Sequence, residues 1–143
     1  MKIKRRGSAA WKGGIKDGQG TFSTESGALK AYPYGFASRF EGQRGSNPEE
    51  LIAAAHASCF TMALALILGE AGLTAEQMDT TAEVTLEKTD SGFAITAVQL
   101  TLKARIPGAA QATFEQLAAK AKAGCPVSKL LKADISLDAT LLD

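Results

Sequence analysis

Asn47-Pro48-Glu49-Glu50-Leu51-Ile52-Ala53-Ala54-Ala55-His56-Ala57-Ser58-Cys59-Phe60-Thr61-Met62-Ala63-Leu64-Ala65-Leu66-Ile67-Leu68 is the stretch on which the fold turns. Asn47 can serve as N-cap, Pro48 suits the first helical position where its missing N–H costs nothing, and Glu49 and Glu50 stand where the helix dipole favours negative charge. From Leu51 to Leu68 there is no Asp, Glu, Lys or Arg. Apolar residues fall on every side of this helix, which predicts that it is buried all round. The run reaches the lower limit of a membrane span, about 27 Å at about 1.5 Å per residue. His56, Ser58, Cys59 and Thr61 within it, the dominance of small Ala and the lack of a companion span argue instead for a central helix wrapped by sheet. No membrane association is expected, and the thiol of Cys59 is held halfway along the helix.

Working outward, the 143 residues read as a single domain, 1–143, long enough for one real core. With 16 Lys+Arg against 15 Asp+Glu the net charge is +1, so nothing in the balance calls for nucleic acid or an anionic membrane. The basic cluster Lys2, Lys4, Arg5 and Arg6 reads as a solvated first strand. The N-terminus shows no charged-then-apolar leader, which predicts a cytoplasmic protein. In that reducing compartment two cysteines are not expected to form a structural staple, and a disulfide between them would be transient and catalytic.

Before the helix, strands are predicted over residues 2 to 11, near Gly20 to Ser26, and about Tyr34 to Glu41. After it, Ala82, Val84 and Leu86 alternate with Glu83, Thr85 and Glu87 in a half-buried strand over Thr80 to Glu87. Asp90-Ser91-Gly92 turns the chain into a long antiparallel partner over Phe93 to Ile106, with room for a bulge. Thr113 to Ala123 is an amphipathic helix with Phe114, Leu117, Ala118 and Ala121 on its buried stripe, Cys125-Pro126 opens a short helix through Leu131, and Asp134 to Leu142 is a last strand. This order makes an α+β domain rather than a parallel α/β one.

Cys59 and Cys125 are the only redox-competent pair. Cys125 falls at or near the N-cap of the short helix, where the N-terminus stabilises a thiolate. Cys59 lies about 18 Å along the axis from Asn47, while the dipole effect fades within the first turn. Burial alone raises its pKa, so a reactive Cys59 needs a cation from elsewhere: Arg39, Arg5, Arg6, Arg44 or His56. Arg39 follows an apolar-aromatic stretch and precedes Phe40, which suits a guanidinium delivered into an enclosed pocket; a solvated strand arginine is the competing reading. His56, three residues before Cys59, can share a face with it. A Cys/His hydrolase or acyltransferase would use that pair, but it lacks the third, orienting group, and a hydrogen-bonded core histidine is the plainer account. Glu49 is a helix-start acid unless it holds Arg39 through a bidentate pair. It sits about 15 Å from Cys59 on a regular helix and cannot touch that thiol directly. No metal-ligand spacing and no glycine-rich phosphate loop is present, so no metal, nucleotide or flavin cofactor is expected.

Ser23-Thr24-Glu25-Ser26-Gly27, Phe40-Glu41-Gly42, the run Gly45 to Phe60, and Ala121-Lys122-Ala123-Gly124-Cys125-Pro126-Val127-Ser128 together resemble the OsmC/Ohr family of organic hydroperoxide resistance proteins. The likeness spans essentially the whole chain and favours the osmotically inducible (OsmC) branch, through the Ser-Thr-Glu-Ser-Gly segment and the Ala-Ala-His-Ala run. It implies a thiol peroxidase in which Cys59 is the peroxidatic cysteine, Cys125 the resolving one, Arg39 the arginine that holds the thiolate and Glu49 the carboxylate that orients the arginine. It also implies an intertwined homodimer, with long central helices buried among antiparallel sheets. The implied chemistry is attack of Cys59 on an organic hydroperoxide, a sulfenic acid, and a disulfide with Cys125. An external dithiol of lipoyl type, such as that of a lipoylated protein, would reduce that disulfide. Apolar lining from Phe36, Phe40, Phe60 and Met62 would favour alkyl hydroperoxides over hydrogen peroxide. A non-enzymatic thiol sensor or small-ligand module is the alternative of a different class.

Overall fold

In chain order the computed structural model, which describes residues 1–143, carries β1 (Gly7–Lys12), β2 (Gln19–Thr24), β3 (Tyr32–Tyr34), α1 (Phe36–Phe40), α2 (Pro48–Glu70), β4 (Gln77–Thr89), β5 (Gly92–Arg105), α3 (Gln111–Gly124), α4 (Pro126–Leu130) and β6 (Asp134–Leu142). These form two compact units, Met1–Pro48 and Glu49–Asp143.

The first unit is an antiparallel sheet in the order β1-β2-β3. β1 is shorter than the 2 to 11 expected, because its ladder ends where Gly7 meets Thr24 and β2 turns away at Ser26-Gly27. On one face Trp11 and Tyr34 pack with ring centroids 5.7 Å apart, and Phe22 stacks on Tyr34 at 4.6 Å. Gly20, paired with Trp11, leaves them room: a Cβ there would come within 2.6 Å of the Trp11 ring. The third predicted strand, Tyr34 to Glu41, is corrected. β3 stops at Tyr34 and the chain winds into the one-turn helix α1. Ser38 accepts from the Gly35 N–H at 3.0 Å and donates to the Ser46 carbonyl at 2.9 Å, while Phe36 and Phe40, four apart, meet at 5.1 Å on one side of the turn. That spacing is helical.

The second unit is built around α2. Gly72 (φ 75°) closes the helix in a Schellman motif, with the Leu73 N–H on the Leu68 carbonyl and the Gly72 N–H on that of Gly69. α2 is the one helix long and apolar enough to cross a membrane, yet it lies on a sheet. Phe60, Leu64 and Leu68, one turn apart, are fully buried with Val98, Leu100 and Leu102 of β5 and Phe114 and Ala121 of α3. Each of the Phe, Leu and Val side chains contributes about 1.5–3 kcal/mol by leaving water. The opposite face is uncovered in the single chain, with Met62 78% and Leu66 66% exposed. In the single chain the burial expected for this helix falls on one stripe.

The expectation of antiparallel sheets holds for β1 to β5 and is corrected at β6. β4 and β5 form an antiparallel hairpin with a register shift at Thr85/Leu86, where Thr96 of β5 is the extra residue, but β6 pairs with β5 in parallel. The crossover through α3 and α4 returns β6 to the sheet in the same direction as β5, as parallel connections require.

Candidate thiol site

The polar residues that marked the apolar run as unlike a membrane span are hydrogen-bonded on this sheet-backed helix. Ser58 donates to the Ala55 carbonyl at 3.0 Å, and Thr61 donates to the Ala57 carbonyl at 2.7 Å and lies 2.6 Å from the Thr80 hydroxyl on β4. His56 is fully buried with Nε2 2.7 Å from the Ser128 hydroxyl on α4. Cys59, one turn further on, meets Cys125.

α3 ends at Gly124 and α4 begins at Pro126, so Cys125 stands at the corner as the N-cap of α4, with Pro126 at the first helical position. The sequence predicts that placement. The corner turns the Cys125 side chain inward, fully buried, with its sulfur 2.8 Å from that of Cys59. Both are free thiols. Residues 66 apart in sequence are thus brought within hydrogen-bond contact.

The two sulfurs are not equivalent. Burial pushes the Cys59 thiol up, and the neighbouring Cys125 sulfur pushes it further; the Val127 N–H pulls the other way and is outweighed. For Cys125 burial also acts upward, but the Cys59 thiol, the Ser128 N–H and hydroxyl and the Val127 N–H together bring it below the ordinary thiol value. The N–H groups of the first turn of α4 face the sulfur without closing a full cap hydrogen bond on it. The donors around Cys125 thus favour its thiolate over that of Cys59. For Cys59 to become the thiolate, a cation must act on it.

His56 does not supply that cation. Burial lowers its pKa, keeping the imidazole neutral. Its Nδ1 is buried with no hydrogen-bond partner. A nucleophile-activating imidazole needs an orienting group at that nitrogen, so the Cys/His hydrolase reading loses its third member. His56 is the hydrogen-bonded core histidine that the sequence favours.

Arg39 belongs to the first unit, on α1 rather than on a strand, with its guanidinium carbon 5.1 Å from the Phe40 ring centroid. There it lines a pocket of ≈ 270 Å³ with Trp11, Ile15, Tyr34, Phe36 and Phe40. Two of the aromatic residues expected to line an apolar site, Phe36 and Phe40, are thus beside Arg39. Of the other two, Phe60 is in the core, and Met62, on the uncovered face of α2, lines a separate pocket with Ser58, Thr61 and Met78. Glu49 is buried in the first turn of the continuous helix that carries Cys59 ten residues later. Ser128 escaped the reading of the residues. Its signal was present, since it follows Cys125 by three residues just as His56 precedes Cys59 by three.

A close pair of free thiols, one at the middle of a core helix and one at a helix N-cap, is the reactive feature of this site. The comparisons give it a family. The chain belongs to the OsmC-like protein family, whose model matches residues 40–140. It is 59% identical over 138 residues to the peroxiredoxin OsmC of Escherichia coli, covering 96% of each chain. It is 32% identical over 104 residues to organic hydroperoxide resistance protein-like 2 of Staphylococcus epidermidis, covering 70% of this chain and 71% of that one. Among solved structures, an organic hydroperoxide resistance protein OsmC from Legionella pneumophila has a TM-score of 0.69 at 28% identity, over 99% of this chain and 100% of that one.

Proposed function

We propose that this protein is a cysteine-based peroxidase that reduces organic hydroperoxides to alcohols, using Cys59 as the peroxidatic and Cys125 as the resolving cysteine. The observation that carries the reading is the 2.8 Å separation of the two sulfurs, which leaves them free as thiols yet close enough to join. The peroxiredoxin and hydroperoxide-resistance names of the relatives support the reaction class.

The Cys59 thiolate attacks the outer peroxide oxygen, the O–O bond breaks, and the alkoxide leaves with the proton the thiol gave up, as alcohol. Cys59 is left as a sulfenic acid. Cys125 then displaces hydroxide from that sulfur and forms the disulfide. An external dithiol, which the family resemblance suggests is of lipoyl type, exchanges into the disulfide, returns both thiols and leaves as its own cyclic disulfide.

The cation that Cys59 requires is, on the same resemblance, Arg39, oriented by Glu49. The aromatic pocket beside Arg39 supports a substrate with an apolar group, because such a group gains by leaving water and hydrogen peroxide has none to bury. The active form is a homodimer in the cytoplasm. The uncovered apolar face of α2, with Met62 and Leu66, supports a second copy packing there, since an exposed patch of that kind marks an interaction site.

The test is peroxide consumption with cumene hydroperoxide and a dihydrolipoyl reductant. Cys59→Ser is expected to abolish it, and Arg39→Ala to slow sulfenate formation at least tenfold. A Cys59→Ser protein that still turned over would end the proposal.

A further inference from the structure

His56 and Ser128 are the polar pair of the second unit that the proposed chemistry leaves without a task. They flank the sulfurs symmetrically, His56 three residues before Cys59 on α2 and Ser128 three after Cys125 on α4. Their 2.7 Å hydrogen bond spans the same two helices as the 2.8 Å sulfur pair. His56 and Cys125 are fully buried.

The direction of the His56 hydrogen bond follows from which ring nitrogen carries the proton. A neutral imidazole has one N–H, and Nδ1 is buried without a partner. A proton on Nδ1 would be an orphaned buried donor, which is rarer in proteins than an under-used acceptor. The proton therefore sits on Nε2, which donates to the Ser128 oxygen. The Ser128 hydroxyl hydrogen is then free to point elsewhere. Ser128 occupies the third position of α4 and Cys125 its N-cap, and the Ser128 hydroxyl is within hydrogen-bonding reach of the Cys125 sulfur.

We propose that His56 and Ser128 are positioning residues for the resolving step: the His56 Nε2–H orients the Ser128 hydroxyl so that its hydrogen is presented to the Cys125 sulfur, fixing that sulfur as the nucleophile beside Cys59. This inference rests on the peroxidase reading for the step it serves. In that step the Cys125 thiolate attacks the sulfenic sulfur of Cys59. The S–S bond forms, the S–O bond breaks, and hydroxide leaves with the proton Cys125 gave up, as water. Cys125 sulfur is oxidised and the sulfenic sulfur reduced by the same amount. The lowered pKa of Cys125, to which the Ser128 hydroxyl contributes, agrees with the arrangement.

Two measurements test it. In single turnover with one equivalent of cumene hydroperoxide, sulfenate formation and disulfide formation are followed separately by mass analysis with and without a sulfenate trap. Ser128→Ala is expected to leave sulfenate formation within about twofold of wild type and to slow condensation about tenfold to a hundredfold, the scale of losing a hydrogen bond to a charged group. Ser128→Thr, which keeps the hydroxyl, restores the rate, and His56→Leu behaves as Ser128→Ala. In the second measurement, made on Cys59→Ser protein without peroxide, the ultraviolet absorbance of the Cys125 thiolate appears at higher pH when Ser128 is also Ala. Condensation at the wild-type rate in Ser128→Ala, or an unchanged thiolate titration, overturns the proposal. A wild-type protein that forms no sulfenate while its Cys125 titration still responds to Ser128 overturns the peroxidase reading and, with it, the resolving role, but leaves the His56–Ser128–Cys125 hydrogen-bond chain standing.

Discussion

Replacing Cys125 by Ser separates the two halves of the proposed chemistry. The sulfurs are 2.8 Å apart in the reduced protein, and a disulfide needs about 2.05 Å, so joining them asks for less than about 1 Å of movement. Reacting groups held this close behave as if present at an effective concentration of about 10⁵ M or more. Against a sulfenate trap at about 1 mM the advantage of Cys125 is then about 10⁸, so wild-type protein is expected to give the disulfide and no measurable adduct. In Cys125→Ser the advantage is gone, the Cys59 sulfenate persists, and the trap labels it stoichiometrically after one turnover. The assay is intact-protein and peptide mass analysis after one equivalent of cumene hydroperoxide, with the trap present. Equal adduct yields in wild type and Cys125→Ser would refute the reasoning, because they would mean that the proximity of the two thiols gives no kinetic preference.

Leu64→Ala removes a fully buried side chain midway along the stripe of α2 that faces the sheet, and is expected to cost about 2–5 kcal/mol in denaturant unfolding. Met62→Asp, on the uncovered face of the same helix, is expected to convert the proposed dimer to a monomer in sedimentation velocity while leaving the fold of the second unit unchanged by circular dichroism. His56 is the sole histidine and burial depresses its pKa, so the unfolded chain binds a proton more readily than the folded one. Its contribution is fully present above about pH 6.5, the ordinary imidazole value, and is lost as pH falls below that toward the depressed folded value. His56→Gln is expected to flatten stability against pH below about pH 6.5.

The local determinants of the second unit were legible in the sequence because each is settled by near neighbours. Asn47-Pro48-Glu49-Glu50 marks the start of α2, Gly72 its close, the alternation of Asp134 to Leu142 marks β6, and Gly124 before Cys125-Pro126 puts a thiol at a helix N-cap. Where local signals conflict, the sequence misled: Tyr34 to Phe40 looks extended by composition, but Ser38 closing on Gly35 and the Phe36–Phe40 contact make it a helical turn. Tertiary structure alone decided three further matters. It placed β6 parallel to β5, since pairing direction depends on the path of the crossover and not on the strand. It confined burial of α2 to one stripe, since a helix apolar on every side does not record which face a single chain covers. It set the Cys59 and Cys125 sulfurs 2.8 Å apart, with the Cys59 thiol pushed up and that of Cys125 brought down, because the field at each sulfur comes from groups that only folding assembles: Val127 and Ser128 at the first turn of α4, and the packing that buries Cys125 fully and Cys59 in part.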